Sequence, residues 1–266
     1  MNYKTYPRIL ASEDIYRTKT SKKIIFPTTR FYLKLGKIFV GANLKTKRNL
    51  YNRYNWVATS LEVLDALESI GLEFEFSGMK NLHLVDGPVI FIGNHMSMME
   101  TLILPAIIQP IKPLVFVTKK QLSSTPLFGP INKHRHPIEV GRENPREDLK
   151  TVMEVGAERI KEGRSILIFP QKTRAKFFDA AGFNTLGIKL AKRNNVPVIP
   201  IALITDAWQN GKIIKDFGKI TPGKKCYIAF GKPVTITGNG NEQHSKVLEF
   251  ITQKFIDWNR KDLIKN

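Results

Sequence analysis

The sequence predicts an α/β fold: a mainly parallel central sheet flanked by helices, with an N-terminal amphipathic helical extension. Three observations carry this expectation. From residue 56 onward, short apolar runs of strand length alternate with longer segments of helical periodicity. Most of those runs contain no polar residue, as in strands buried on both faces of a sheet. Hydrophobic residues make up 42% of the 266, enough for a large core. The expected organisation is a basic amphipathic arm over residues 1–55 and a single α/β domain over 56–266.

The elements follow in order. In TTRFYLKLGKIFV (28–40), Arg30, Lys34 and Lys37 repeat at helical spacing, and Phe31, Leu35 and Ile38 do the same beside them. A basic face next to an apolar face fits a helix in a membrane interface. It equally fits a surface helix packed on its own domain. Residues 56–70 read as a helix, with Val57, Leu61, Leu64 and Leu67 on one broad side and Gly71 as its stop. Leu72 to Phe76 alternates like a half-buried strand. Then come a strand at 88–92, a helix from about Ser97, a strand at 113–117, a helix at 145–163 and a strand at 165–169. Residues 182–194 read as helix, 196–203 as strand, 226–230 as a late strand, and 242–259 as a last amphipathic helix.

The net charge of +19 is uneven. Residues 1–60 hold 13 Lys and Arg against Glu13 and Asp14, so an anionic partner is expected: nucleic acid or an acidic membrane surface. The one cysteine, Cys226, excludes an intrachain disulfide and fits a reducing compartment. No apolar run reaches the roughly 18–20 residues needed to cross a bilayer, and MNYKTYPRILASED lacks the apolar stretch of a signal peptide. Any membrane contact is therefore expected to be peripheral, on the cytoplasmic face. No nucleic-acid-binding motif is present to favour that partner. His134 and His136 in KHRH are too isolated to argue a zinc site.

Ligands of open α/β sheets bind beyond the carboxyl ends of strands. Two stretches stand in such places. GNHMSMME (93–100) follows VIFI, and QKTR (171–174) follows SILIFP. In the first, Ser97 and Glu100 form a capping box for the next helix. That leaves His95, the residue type best suited to moving a proton near neutral pH. For Glu100 two roles compete: folding back on the cap amide, or holding the His95 ring. No G-x-S-x-G elbow exists, so a base acting on a substrate hydroxyl is expected rather than on an enzyme serine. In the second stretch Lys172 and Arg174 suit a phosphate, and Arg142 in VGREN is a third cation at a strand end.

Taken together these residues resemble the glycerolipid acyltransferase family over roughly residues 85–235. The family's His, four residues, then an acid matches His95 to Glu100. Its second motif, ending in an arginine after a short strand, matches Ile138 to Arg142. F-P-E-G-T-R matches Phe169 to Arg174, and the apolar V-P-x-x-P matches Val196 to Pro200. The resemblance implies that His95 takes the proton of an acceptor hydroxyl while Glu100 orients it. The acyl group comes from a thioester on coenzyme A or acyl carrier protein, a co-substrate, with no metal or redox cofactor. Arg142 and Arg174 hold the phosphate of a lysophospholipid acceptor, with 1-acylglycerol-3-phosphate foremost; Gln171, Lys172 and Thr173 complete that site and Lys119 assists. The arm sits on an anionic membrane surface, and nucleic acid is not a partner. Four departures mark the chain: Glu100 for Asp, Gln171 for Glu, Lys172 for Gly, and His136 where a glycine is expected. A non-catalytic lipid-binding relative, an acyltransferase for another lipid acceptor and a basic nucleic-acid-binding protein are the alternatives.

Overall fold

The computed structural model describes residues 14–18, 24–212 and 214–265. Most of the N-terminal arm's first half, residues 1–13 and 19–23, lies outside them. The strands are β1 (Tyr16–Arg17), β2 (Glu73–Ser77), β3 (Ile90–Gly93), β4 (Leu114–Lys119), β5 (Ile138–Val140), β6 (Ser165–Ile168), β7 (Val198–Ile204) and β8 (Lys225–Phe230). The helices are α1 (Pro27–Lys47), α2 (Arg53–Glu68), α3 (Met99–Ile108), α4 (Gly129–Lys133), α5 (Pro145–Lys161), α6 (Leu186–Asn194) and α7 (Asn241–Asp257). The strands form one sheet in the order β1-β2-β8-β7-β3-β6-β4-β5.

The run β7-β3-β6-β4-β5 is parallel throughout. β8 lies antiparallel to β7, parallel to β2, and β1 closes that edge antiparallel to β2. Helices cover both faces. Side chains of β3 and β6 alternate between two cores: Phe91 and Leu167 pack with Leu61, Leu64 and Ile103 from α2 and α3. Ile90, Ile92, Ile166 and Ile168 pack with Val152, Ile188, Val247 and Phe255 from α5, α6 and α7. Continuous apolar strands are what burial on two faces requires.

The connection from β3 to β4 passes through α3 on the first face. That from β6 to β7 passes through α6 on the second. β4 and β7 lie on opposite sides of the β3-β6 pair. The chain therefore leaves these neighbouring strands in opposite directions, and a crevice opens beyond their carboxyl ends. That crevice is the usual ligand position of an open α/β sheet.

Differences from the sequence reading are local. The helix expected from residue 182 begins at Leu186. Asn184 accepts from the Leu186 amide and donates to the Pro170 carbonyl, so residues up to 185 run as a loop beneath the site. The helix expected from Ser97 begins at Met99. In α1 the apolar residues Phe31, Leu35 and Phe39 face inward and share a core with α2 and the sheet. Leu33, Val40 and Leu44 face solvent, with Lys34 and Lys37 also exposed on the same helix. No helix among the described residues is long and apolar enough to cross a membrane.

Asn94, the first residue past β3, is almost wholly buried. Its side chain donates to the Leu203 carbonyl and accepts from the Leu203 amide, both at 2.8 Å, a backbone-like pairing that pins the turn to β7. Asn94→Ala leaves both Leu203 groups unsatisfied inside the protein. The expected loss is about 2 kcal/mol or more in chemical denaturation, with an unchanged denaturant slope.

Candidate active site

The β3–β6 register aligns Ile92 with Ile168, which carries on to bring His95 level with Gln171. The two loops are joined at that level. The His95 amide donates to Gln171 Oε1 at 2.5 Å, and the Ala175 amide donates to the His95 carbonyl at 2.9 Å. The imidazole stacks flat on the Phe169 ring, centroids 4.2 Å apart and planes within 6°. His95 is thus fixed by backbone on both sides and by an aromatic wall on one.

Behind it lies Glu100, with no solvent exposure. Its Oε1 accepts from the Met96 and Ser97 amides at 2.9 Å each and from the Thr205 hydroxyl at 2.5 Å. Its Oε2 accepts from the Ser97 amide at 3.1 Å and the Ser97 hydroxyl at 3.3 Å, and stands 3.5 Å from His95 Nδ1. The two roles foreseen for Glu100 do not exclude each other, because the carboxylate has two oxygens and uses both. The helix cap also differs in detail from the expected box: the Ser97 hydroxyl accepts from the Met99 amide. His95 Nδ1 is buried with no closer partner. Among the described residues Glu100 Oε2, 3.5 Å away, is the acceptor placed to face it, which leaves Nε2 for the open side of the ring. Burial alone would raise the Glu100 carboxyl. His95, Thr205 and the Ser97 amide together outweigh it and hold the group below its ordinary value of 4.5.

The open side is a cavity of about 920 Å³. His95, Lys119, Arg142, Gln171, Lys172, Thr173 and Arg174 all line it. Glu100 does not, because it acts from behind the imidazole. Arg142 Nη1 donates to the Lys172 carbonyl at 2.7 Å, tying the loop after β5 to the loop after β6. Arg142 adopts φ 68°, and Asp148 stabilises the turn by accepting from the Gly141 and Arg142 amides. Partial burial lowers the pKa of Arg142, with Asp148 opposing. Of the departures in the 171–174 turn, Gln171 meets His95 directly, with its carbonyl oxygen committed to the His95 amide.

The other departures resolve differently. Lys172 keeps ordinary backbone angles, so the turn does not require glycine there. His136, however, has φ 51°, in the left-handed region where glycine is at ease and other residues are strained.

Three residues of the site were missed in the sequence. Thr205, just past β7, holds Glu100 and the Ser97 hydroxyl; the strand-end rule could have found it. Lys215 and Asp216 come from the loop before β8. Lys215 Nζ donates to the Thr173 hydroxyl and the Arg174 carbonyl, and Arg174 pairs with Asp216. Burial lowers the Lys215 ammonium first, then the charges of Arg174 and Lys119; Asp216 opposes and Arg142 adds to the lowering. Lys119, Arg142, Arg174 and Lys215 thus stand close enough to act on one another's charge.

The acyltransferase family model matches residues 73–204. The chain is 32% identical over 132 residues to a 1-acyl-sn-glycerol-3-phosphate acyltransferase of Pseudomonas aeruginosa, covering 50% of this chain and 49% of that one. It is 28% identical over 151 residues to a probable 1-acyl-sn-glycerol-3-phosphate acyltransferase of Mycoplasma genitalium, covering 54% and 56%. The chain spans about half the length of the curated relatives it matches. The crystal structure of the 1-acyl-sn-glycerophosphate acyltransferase PlsC from Thermotoga maritima superposes with a TM-score of 0.66 at 18% identity, covering 88% of this chain and 95% of that one; it shares the fold.

The depressed Glu100 value sets a stability expectation. A carboxylate whose pKa falls on folding contributes stability above its unfolded value and loses it as pH drops through the folded value. Urea denaturation from pH 7 to pH 3 is therefore expected to show wild type losing stability below about 4.5 more steeply than Glu100→Gln. Parallel curves for the two proteins would show that the charge is not held as described.

Proposed function

Because the chain belongs to the acyltransferase family, we propose that it moves a fatty acyl group from a thioester, on coenzyme A or acyl carrier protein, to a hydroxyl of a phosphate-bearing lysolipid, 1-acylglycerol-3-phosphate foremost. One observation supports this most directly: a histidine backed by a buried carboxylate shares a cavity with a cluster of four cations. A base is useful only where its proton donor is held still, and a phosphate on the cluster would hold the acceptor by its charged end.

The steps follow from the residues. His95 Nε2 takes the proton of the acceptor hydroxyl, and the oxygen attacks the thioester carbonyl. The tetrahedral intermediate collapses, the C–S bond breaks, and the proton leaves with the thiolate as free thiol. Glu100 offsets the charge that the imidazole carries between those events and keeps Nδ1 protonated throughout. Arg142, Arg174, Lys119 and Lys215 receive the phosphate. In doing so the phosphate takes the place of Asp216 on Arg174. The reaction needs no metal or redox group; the donor is a co-substrate.

The lysolipid acceptor and its acylated product are both lipids, so the enzyme would work at a membrane. The outward row of Leu33, Val40 and Leu44 on α1, set among lysines, supports a peripheral seat on an anionic surface, and the cytoplasmic face is the reading that accords with the chain's charge.

The test is thiol release from an acyl thioester with 1-acylglycerol-3-phosphate as acceptor. His95→Ala is expected to lower turnover by about 10²–10⁴-fold. Arg174→Ala is expected to raise the acceptor KM about tenfold or more with a smaller change in kcat, the signature of lost phosphate binding. Turnover by His95→Ala equal to wild type would exclude the mechanism.

A further inference from the structure

One buried cation in the cavity is not used by the reaction above. Arg135, from the turn before β5, is 7% exposed and lines the same cavity as His95. Its guanidinium lies over three rings, Trp56 at 4.7 Å, Phe128 at 5.2 Å and Tyr51 at 5.9 Å. Nη2 donates to the Tyr51 hydroxyl at 3.0 Å. Nε is buried and has no acceptor. Among the described residues Arg135 forms no ion pair, and none of its contacts is with the phosphate cluster. A buried charge without a counter-charge is costly, and ring faces offset only part of that cost.

The surroundings say what kind of anion would fit. Trp56 packs on Phe116 with centroids 5.8 Å apart, and both line the cavity with Met98, Leu122 and Phe128. This part of the lining therefore sets five apolar side chains beside one guanidinium, which itself donates to the Tyr51 hydroxyl. Phosphate alone would gain nothing from the rings. A hydrocarbon alone would leave the charge unmet.

We propose that this part of the cavity is a binding site for a long-chain carboxylate. The carboxylate lies on Arg135 as a fork-to-fork pair, and the alkyl chain runs along Phe116, Trp56 and Met98 toward His95. An acyl donor with its thioester at His95 would send its methyl end the other way, toward the guanidinium, and leave it unpaired. A free fatty acid thus binds in the opposite sense and excludes the donor's chain. That competition rests on the acyl-transfer reading; the binding does not.

Titration calorimetry with dodecanoate against dodecanol separates the two. Wild type is expected to bind the carboxylate at least tenfold more tightly than the alcohol. Arg135→Met is expected to abolish that preference, Tyr51→Phe to reduce it, and Arg174→Met to leave it intact. Equal affinity in wild type, a preference that survives Arg135→Met, or one lost instead in Arg174→Met would each overturn the proposal. Should Arg135→Met fail to fold, Arg135→Lys keeps the cation but not the fork; a severalfold loss of preference is expected, and an unchanged one overturns the site. In a thiol-release assay dodecanoate is expected to inhibit competitively against the donor. An enzyme that turns over no donor would count against the acyl-transfer reading and leave the calorimetric result standing.

Discussion

A carboxylate with no access to water must be met by donors or take up a proton. Glu100 satisfies that requirement with two amides, two hydroxyls and the near edge of an imidazole. Each donor comes from a place the fold must bring there. Met96 and Ser97 lie in the turn leaving β3, Thr205 comes from the end of β7, and His95 stands between β3 and β6. Keeping the charge therefore holds the turn, the start of α3 and the neighbouring strand in one arrangement. The imidazole is positioned as part of the same network.

The rest of the site is arranged around that point by the sheet. Because β3 and β6 are adjacent and their connections depart to opposite faces, a crevice opens beyond their carboxyl ends. The loop after β6 supplies a wall in Phe169, a tie to the His95 amide in Gln171, and cations. The loop after β5 is drawn in by Arg142 on the Lys172 carbonyl. The position of Gln171 gives its substitution a definite meaning. An amide there offers one acceptor, already taken by His95, and keeps its NH₂ as a donor, whereas a carboxylate would offer only acceptors. The polarity presented to an acceptor molecule is inverted at that point.

The alternation of strand and helix was legible because burial on two faces leaves a period that a single sequence displays. His95, Arg142 and the 171–174 turn were legible because each follows a short strand, and Glu100 because it stands in the first turn of the helix that comes next. What escaped notice depended on contacts between distant residues. Thr205 reaches Glu100 across 105 positions, and Lys215 and Asp216 reach Thr173 and Arg174 across 42. The start of α6 was misplaced because Asn184 ties the chain to the Pro170 carbonyl while its Oδ1 accepts from the Leu186 amide, so the helix opens only at Leu186. The apolar stripe named in α1 proved to be the inward one, and periodicity alone does not say which side of a helix meets the core.

The account turns on Glu100 holding the proton on His95 Nδ1 so that Nε2 is left as the base. Nitrogen-15 NMR of histidine-labelled protein reads this directly, with the His95 signals assigned by their loss in His95→Gln. The expected result is a neutral ring protonated at Nδ1 in wild type, with that preference weakened in Glu100→Gln. A neutral His95 protonated at Nε2 in wild type would contradict the account.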